Sequence, residues 1–259
     1  MQSLEEKRVF GEKTGKTVVL AATDVGVAAV SLAGEQVGQI ELLAQCTARD
    51  VATSDDQVAI ATDEDVLLHD GDDFTETDFG PATAVRFSDG VLLAGAEDGT
   101  LARFDAGWTT IAELDARINA ISSNLVATDA GVCQVTTADC IEAGLSTVRD
   151  VSTDGTPHAA TADGLYYLGN GWMDALDGDF HMVATAEDGG AHAATADTFY
   201  AHDDEWDAVS LPVSGQVADV AYADATYAAT VDGTFLLDAG EGWRTYPLGL
   251  RDVHALCVL

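Results

Sequence analysis

Short apolar runs alternate with acidic turns along almost the whole chain, and one such unit recurs seven times. Each copy joins a strand end of small residues to an acidic turn and then to another apolar strand. The glycine slots of the seven turns stand at positions 26, 65, 99, 131, 164, 198 and 233. Successive slots are therefore 32 to 39 residues apart. A near-constant period of this length is typical of proteins in which each repeat is one supersecondary unit.

The fifth copy shows the predicted strands of one unit most clearly. Strands are predicted at 146–152, 158–161 and 165–168, and a fourth begins at Trp172. Asp-Gly and Asn-Gly pairs separate them, and these residues accept the positive φ of tight hairpin turns. Four antiparallel strands per ~35 residues, without helical periodicity, predict a propeller blade. The predicted fold is therefore all-β, a seven-bladed β-propeller of four-stranded antiparallel blades.

The two ends of the repeat region predict how the ring closes. The region starts with the second strand of a blade, Thr17–Ala22, and ends with one additional strand, Val253–Leu259. Innermost strands are expected near 50, 84, 119, 150, 182, 219 and 253. The C-terminal strand should then be the innermost strand of the first blade, which removes both open sheet edges. The propeller domain is placed at 17–259, and an N-terminal extension at 1–16 either adds an outer strand or packs on one face.

Aromatic residues recur at fixed places in this frame. They begin the fourth strand of most units, at Phe74, Trp108, Trp172, Trp206 and Trp243. We expect these rings to cover the apolar seam between blades rather than to bind a ligand. His158 and His192 share one slot in adjacent units, and Tyr227 takes it in the next, so packing is expected there too.

The charge balance indicates an unusual environment. The chain has 45 acidic and 11 basic side chains, a net charge of −34, and its only lysines are Lys7, Lys13 and Lys16. Such repulsion opposes a compact state, but in molar salt the Debye length falls to roughly 3 Å and screens it. Because the acids are spread through every unit, they indicate adaptation to a high-salt cytoplasm. The competing interpretation is an acidic surface that attracts a basic partner. Nucleic acid is not an expected partner, because phosphate contacts need stripes of lysine and arginine.

Neither secretion nor membrane insertion is indicated. Residues 1–10 carry four charges and no apolar run, unlike a signal peptide. No apolar stretch reaches the ~18 residues of a membrane span. Cys46, Cys133, Cys140 and Cys257 show no CxxC spacing, so free thiols in a reducing cytosol are expected. The expected state is a cytoplasmic monomer without a cofactor.

The repeat resembles the β-propeller superfamily over residues 17–259. Its units lack the Gly-His and Trp-Asp pairs of WD40 proteins and the Ser-x-Asp-x-Gly-x-x-Trp box of sialidase-like propellers. The phrase Ala-Thr-x-Asp-Gly-Leu-Tyr at 160–166 is more similar to the ligand-sensing or scaffold propellers of prokaryotes. Together with the acidic composition, it resembles haloarchaeal seven-bladed propeller families. Such families imply a fold and no particular activity.

Arginines concentrate where the predicted innermost strands begin, an opening that we call the channel mouth. Of seven arginines after residue 16, five lie on or beside an innermost strand: Arg49, Arg86, Arg117, Arg149 and Arg251. Three of them start Arg-Asp-Val triplets, at 49, 149 and 251. The candidate binding surface comprises Arg49, Asp50, Arg117, Asn119, Arg149, Asp150, His181, Asp219, Arg251 and Asp252.

Two interpretations of this surface are open. In the first, each arginine pairs with an aspartate of the neighbouring blade, and such half-buried ion pairs set geometry more than stability. In the second, the guanidinium groups bind an anionic carboxylate, phosphate or acidic partner segment. An error of one residue in register turns every side chain to the other face, so the sequence does not decide between them.

No catalytic motif accompanies the repeat. The chain lacks a glycine-rich phosphate loop, GxSxG and HExxH, and its loops are short for building an enzymatic pocket. The alternative is a hydrolase or lyase with a channel metal held by His181, His254 and neighbouring aspartates. The expected function is a non-enzymatic interaction or scaffold propeller that binds a protein partner or an anionic ligand at the channel mouth.

Overall fold

The computed structural model describes residues 16–54, 57–69, 71, 73–137 and 139–259. Its 28 strands form seven four-stranded antiparallel sheets, which confirms the predicted fold. We number the blades 1 to 7; blade 1 holds β28 and β1–β3, and the later blades hold four consecutive strands each. Within the described residues, no helix is long and apolar enough to cross a membrane. The proposed extension at 1–16 lies outside the described residues except for Lys16.

The innermost strands surround a central channel, and each contacts the next around the ring. In blade order they are β28 (Val253–Val258), β4 (Ala48–Ser54), β8 (Ala84–Ser88), β12 (Ile118–Ser122), β16 (Val148–Ser152), β20 (Phe180–Thr185) and β24 (Val217–Tyr222).

Three further strands extend each blade outwards. The second strands are β1 (Thr17–Thr23), β5 (Gln57–Thr62), β9 (Val91–Gly95), β13 (Leu125–Thr128), β17 (His158–Thr161), β21 (Ala191–Thr195) and β25 (Thr226–Thr230). The third strands are β2 (Gly26–Ala33), β6 (Val66–His69), β10 (Thr100–Phe104), β14 (Gly131–Val135), β18 (Gly164–Leu168), β22 (Phe199–His202) and β26 (Thr234–Asp238). The outer strands are β3 (Gln36–Ala44), β7 (Phe74–Glu76), β11 (Trp108–Glu113), β15 (Cys140–Gly144), β19 (Trp172–Asp177), β23 (Trp206–Val209) and β27 (Arg244–Pro247).

The ring closes as predicted. Strand β28 pairs antiparallel with β1, with Val258 opposite Val19 and Val253 opposite Thr23. The first blade therefore takes its innermost strand from the C-terminal end of the repeat region. Because β28 and β1 pair with each other, their facing edges have no unpaired backbone groups open to another chain.

The core is divided among the seams between blades. The described residues form seven apolar clusters, and each contains residues of two consecutive blades. Small side chains such as alanine and valine dominate, because the sheets pack closely face to face. Among the described residues, the smallest cluster lies between blades 5 and 6, with five buried members: Ala160, Leu165, Phe180, Val183 and Ala193.

A threonine hydroxyl explains the recurring Ala-Thr phrase. In the fifth copy, Thr161 Oγ1 donates to the carbonyl oxygen of Gly164 (2.9 Å) and accepts from the backbone N–H of the same residue (3.0 Å). This closes the acidic turn and leaves its carboxylates in solvent. A threonine makes the equivalent donor bond in five of the described copies, at Thr23, Thr62, Thr128, Thr161 and Thr195. Thr230 differs, because its hydroxyl donates to the carboxylate of Asp232.

The expectation of four free thiols is wrong for two of them. Cys133 in β14 and Cys140 in β15 form a disulfide, with their Cα atoms 5.5 Å apart. Cys133 lies opposite Glu142 and Cys140 lies opposite Val135, so the cysteines are diagonal neighbours on adjacent strands. The hairpin creates this proximity, and a search for CxxC spacing does not detect it. Cys46 and Cys257 are free.

Candidate functional site

A β-bulge near the start of most innermost strands redirects one side chain towards the next blade. Register shifts place Arg49, Asn119, Arg149 and His181 at this bulged position. Bulges commonly re-aim a side chain in this way. Three of these side chains reach the carbonyl oxygen of the first residue in the next innermost strand, and Arg49 reaches that of Ala82, two residues before such a strand.

The distances differ along this series. Asn119 Nδ2 donates to Val148 O at 2.8 Å, and His181 Nε2 lies 2.8 Å from Val217 O. Arg49 Nη1 and Arg149 Nη1 are 3.4 Å from the carbonyl oxygens of the following blade. The bulged residues at the mouth therefore connect consecutive blades.

Three aspartates one residue further along make a second set of connections. The Oδ1 atoms of Asp50, Asp150 and Asp219 accept from the backbone N–H of the following residue at 2.7–2.8 Å. Their Oδ2 atoms accept, at 2.7–2.8 Å, from a backbone N–H in the next blade, contributed by Val85, Val183 and Leu256 respectively. Each carboxylate thus bridges two innermost strands.

These three carboxylates line one channel and influence one another. Burial raises the pKa of Asp50 to about 6, that of Asp150 to about 7 and that of Asp219 to about 8. Repulsion from Asp150 and Asp50 adds to the increase at Asp219, whereas the backbone N–H donors oppose it. The channel therefore binds protons near neutral pH.

Of the four arginines in the candidate binding surface, three contact the neighbouring blade. Arg149 pairs with Asp179 of blade 6 at 2.5 Å, and Arg117 pairs with Glu97 of blade 3 at 3.3 Å. Arg251 is exposed and forms no hydrogen bond or ion pair with any described residue. Asp252 beside it is also exposed and has a positive φ of 53°.

The third Arg-Asp-Val triplet is not equivalent to the other two. Val51 and Val151 are the fourth residues of their innermost strands, whereas Val253 is the first residue of β28. In blade 1 the bulged residue is His254, and Ala255 takes the position of Asp50. The third bridging carboxylate instead comes from Asp219.

The structure does not bring the alternative metal ligands together. His181 Nε2 faces Val217 O, and His254 Nε2 lies 2.8 Å from Asp24 Oδ1. Across the described ranges, no group of three or more His, Cys, Asp or Glu side chains has an arrangement that could hold a metal ion.

A channel cavity that the sequence analysis missed extends from the three aspartates, which form part of its wall. It has a volume of about 430 Å³ and is lined by the second halves of the innermost strands. Towards the ends of these strands it reaches Phe87 and Tyr222, and the ion pair of Arg86 with Asp154 (2.8 Å) connects blades 3 and 5. In the sequence, this cavity was indicated by polar residues near the ends of the innermost strands, such as Ser122 and Thr185.

A family model described as "Beta-prop_HVO_0234:-like, beta propeller" matches residues 3–259. The chain belongs to this family. Among curated proteins, none matches the sequence.

Solved structures share the fold of this HVO_0234-like propeller at low sequence identity. The computationally designed Ika8 protein has a TM-score of 0.67 and 16% identity, covering 95% of this chain and 88% of that one. The WD40 β-propeller domain of Doa1 has a TM-score of 0.64 and 13% identity, covering 88% of both chains. At this identity the likeness shows the fold alone, and a fold hosts many functions.

Proposed function

We propose that this propeller is a non-enzymatic interaction or scaffold protein of a high-salt cytoplasm, and that an acidic partner segment docks at the channel mouth. The observation that carries this proposal is Arg251. It is an exposed guanidinium without a partner among the described residues, two residues before innermost strand β28, in a chain whose net charge is −34.

Two arginines beside the starts of other innermost strands support the proposal. The side chains of Arg117 and Arg149 remain 41% and 38% exposed although each has an acidic partner in its ion pair. A carboxylate from outside can therefore share these guanidinium groups, whose five N–H donors suit a planar acceptor. Direct contact matters here, because molar salt screens longer-range attraction.

The test compares two arginines that differ mainly in position. Arg251 and Arg103 are both exposed and form no ion pair with a described residue, but Arg103 lies on the third strand of blade 3. Tagged wild type, Arg251→Ala and Arg103→Ala are used for affinity capture in molar KCl, and the bound proteins are identified by mass spectrometry. We expect an acidic partner on wild type and Arg103→Ala, with its recovery reduced about tenfold on Arg251→Ala, which corresponds to the ~1.4 kcal/mol of one charge-assisted contact.

Two outcomes contradict the proposal. One is a partner that Arg251→Ala retains at the wild-type level, and the other is a partner that both variants lose equally. Circular dichroism of each variant in the same buffer separates loss of binding from loss of folding.

A further inference from the structure

The seam between blades 5 and 6 lacks a hydrogen bond that the equivalent tryptophan makes at two other seams. At two other seams the tryptophan that begins the outer strand donates its indole N–H to the preceding blade. Trp108 Nε1 bonds to Thr77 O at 3.0 Å, and Trp172 Nε1 bonds to Ala143 O at 2.9 Å. Trp206 holds the equivalent place in blade 6, but its indole N–H makes no hydrogen bond within the described part of the chain.

A cavity of about 580 Å³ lies beside Trp206. It occupies the seam that has the smallest apolar cluster among the described residues. The cavity is separate from the channel mouth. His158 in its wall pairs with Ser152, the last residue of innermost strand β16, whereas the mouth lies where that strand begins.

Four rings form the aromatic part of the wall. The ring centroid of Trp206 is 5.1 Å from that of His202 and 5.7 Å from that of His158, and Tyr167 lies 6.2 Å from His158. His158 donates through Nδ1 to Thr156 O, because a carbonyl oxygen can only accept, and burial lowers the pKa of this imidazole. It therefore contributes a neutral ring to the wall.

The charge of the wall indicates the kind of ligand. The described lining carries the carboxylates of Asp174, Asp204 and Glu205 at its rim but no lysine or arginine. The cavity therefore has the charge and the π-faces to hold an organic cation.

We propose that this cavity is a binding site for a small quaternary ammonium compound. Quaternary ammonium groups bind in cages of aromatic rings through cation–π attraction, which strengthens as water is excluded. The rim carboxylates supply the negative charge that opposes the cost of removing water from the cation. The methyl groups of such a cation fill apolar space that the small core leaves open.

The experiment uses choline as the probe and 3,3-dimethyl-1-butanol as its uncharged analogue of the same shape. Binding to the full chain is measured by isothermal titration calorimetry in molar KCl. We expect choline to bind and the alcohol to bind at least about tenfold more weakly, because it lacks the charge that the rings and carboxylates attract. Equal affinities for the two compounds, or no binding of choline, overturn the proposal.

Matched variants locate the site. Trp206→Leu should weaken choline binding about tenfold. Trp172→Leu removes the corresponding ring from the neighbouring seam and should leave choline affinity unchanged. Wild-type affinity in Trp206→Leu, or an equal loss in both variants, places binding elsewhere and contradicts the proposal.

A second pair of variants remains informative if Trp206→Leu does not fold. Asp174 and Asp177 are exposed carboxylates on the same strand, and only Asp174 lines the cavity. Asp174→Asn should weaken choline binding about two- to threefold, the effect of one exposed charge, while Asp177→Asn leaves it unchanged. No difference between these two variants contradicts the assignment of the site.

Discussion

The carboxylate of Asp150 accepts a hydrogen bond from the backbone N–H of Val183, 2.8 Å away in the next blade. The same relationship joins blade 2 to blade 3 and blade 7 to the closing strand. Polar connections between innermost strands thus supplement the apolar seams, and one of them lies where the ring closes.

Asp219→Ala should destabilise the propeller at the closure of the ring. The substitution leaves the backbone N–H groups of Val220 and Leu256 without their acceptor, so we expect the free energy of unfolding to fall by about 1–3 kcal/mol. Chemical denaturation near pH 5 measures this, because repulsion among the three aspartates is smallest there. Asp252→Ala is the control: this aspartate is exposed, and a change within about 0.5 kcal/mol is expected. Equal losses in both variants would refute a specific role for Asp219.

Stability should decrease as the pH rises from about 5 to about 8. The pKa values of Asp50, Asp150 and Asp219 are higher in the folded chain than the ordinary value of 3.8. The folded state therefore binds more protons than the unfolded state over this range, and linkage makes unfolding more favourable as protons are released. Denaturation at several pH values and constant KCl tests this. The slope should be smaller in Asp219→Asn, and an unchanged slope in that variant contradicts the assignment.

The chain should lose native structure when KCl falls from molar concentration to roughly 0.1 M, where the Debye length reaches ~10 Å. At a net charge of −34, many carboxylates then repel one another across the surface. Circular dichroism during a KCl titration measures the loss, with sodium chloride as a second salt that separates screening from a specific effect of potassium. A melting temperature that stays constant over this range means that the acidity serves another purpose.

Two thiols, rather than four, should react with an alkylating agent after unfolding without reductant. The expected sites are Cys46 and Cys257, because Cys133 and Cys140 are bonded to each other. Mass spectrometry of the digested protein identifies them. Reduction, or the pair of substitutions Cys133→Ser and Cys140→Ser, should lower the free energy of unfolding by about 2 kcal/mol, the effect of cross-linking a short loop. Four alkylated cysteines without reductant would show that the bond is absent.

The sequence alone was sufficient for the architecture. Blade number, strand order and closure by β28 depend on strand length and turn chemistry, which are local properties repeated seven times along the chain. The predicted strand His158–Thr161 matches β17, and the predicted start of the fourth strand at Trp172 matches β19. The net charge likewise needs no structure, because composition determines it directly.

Only the tertiary structure decided what the polar residues of the channel contact. The triplets at 49 and 251 look alike in sequence, but a shift of the pairing places Asp50 between two blades and Asp252 in solvent. A β-bulge moves one side chain relative to the strand around it, and the sequence carries no local signal for that shift. The cavity beside Trp206 and the Cys133–Cys140 bond could not be predicted from the sequence for a similar reason. Each depends on residues that become neighbours only when strands pair or blades pack. The repeat pattern in the sequence does not indicate where the packing between two blades leaves a cavity.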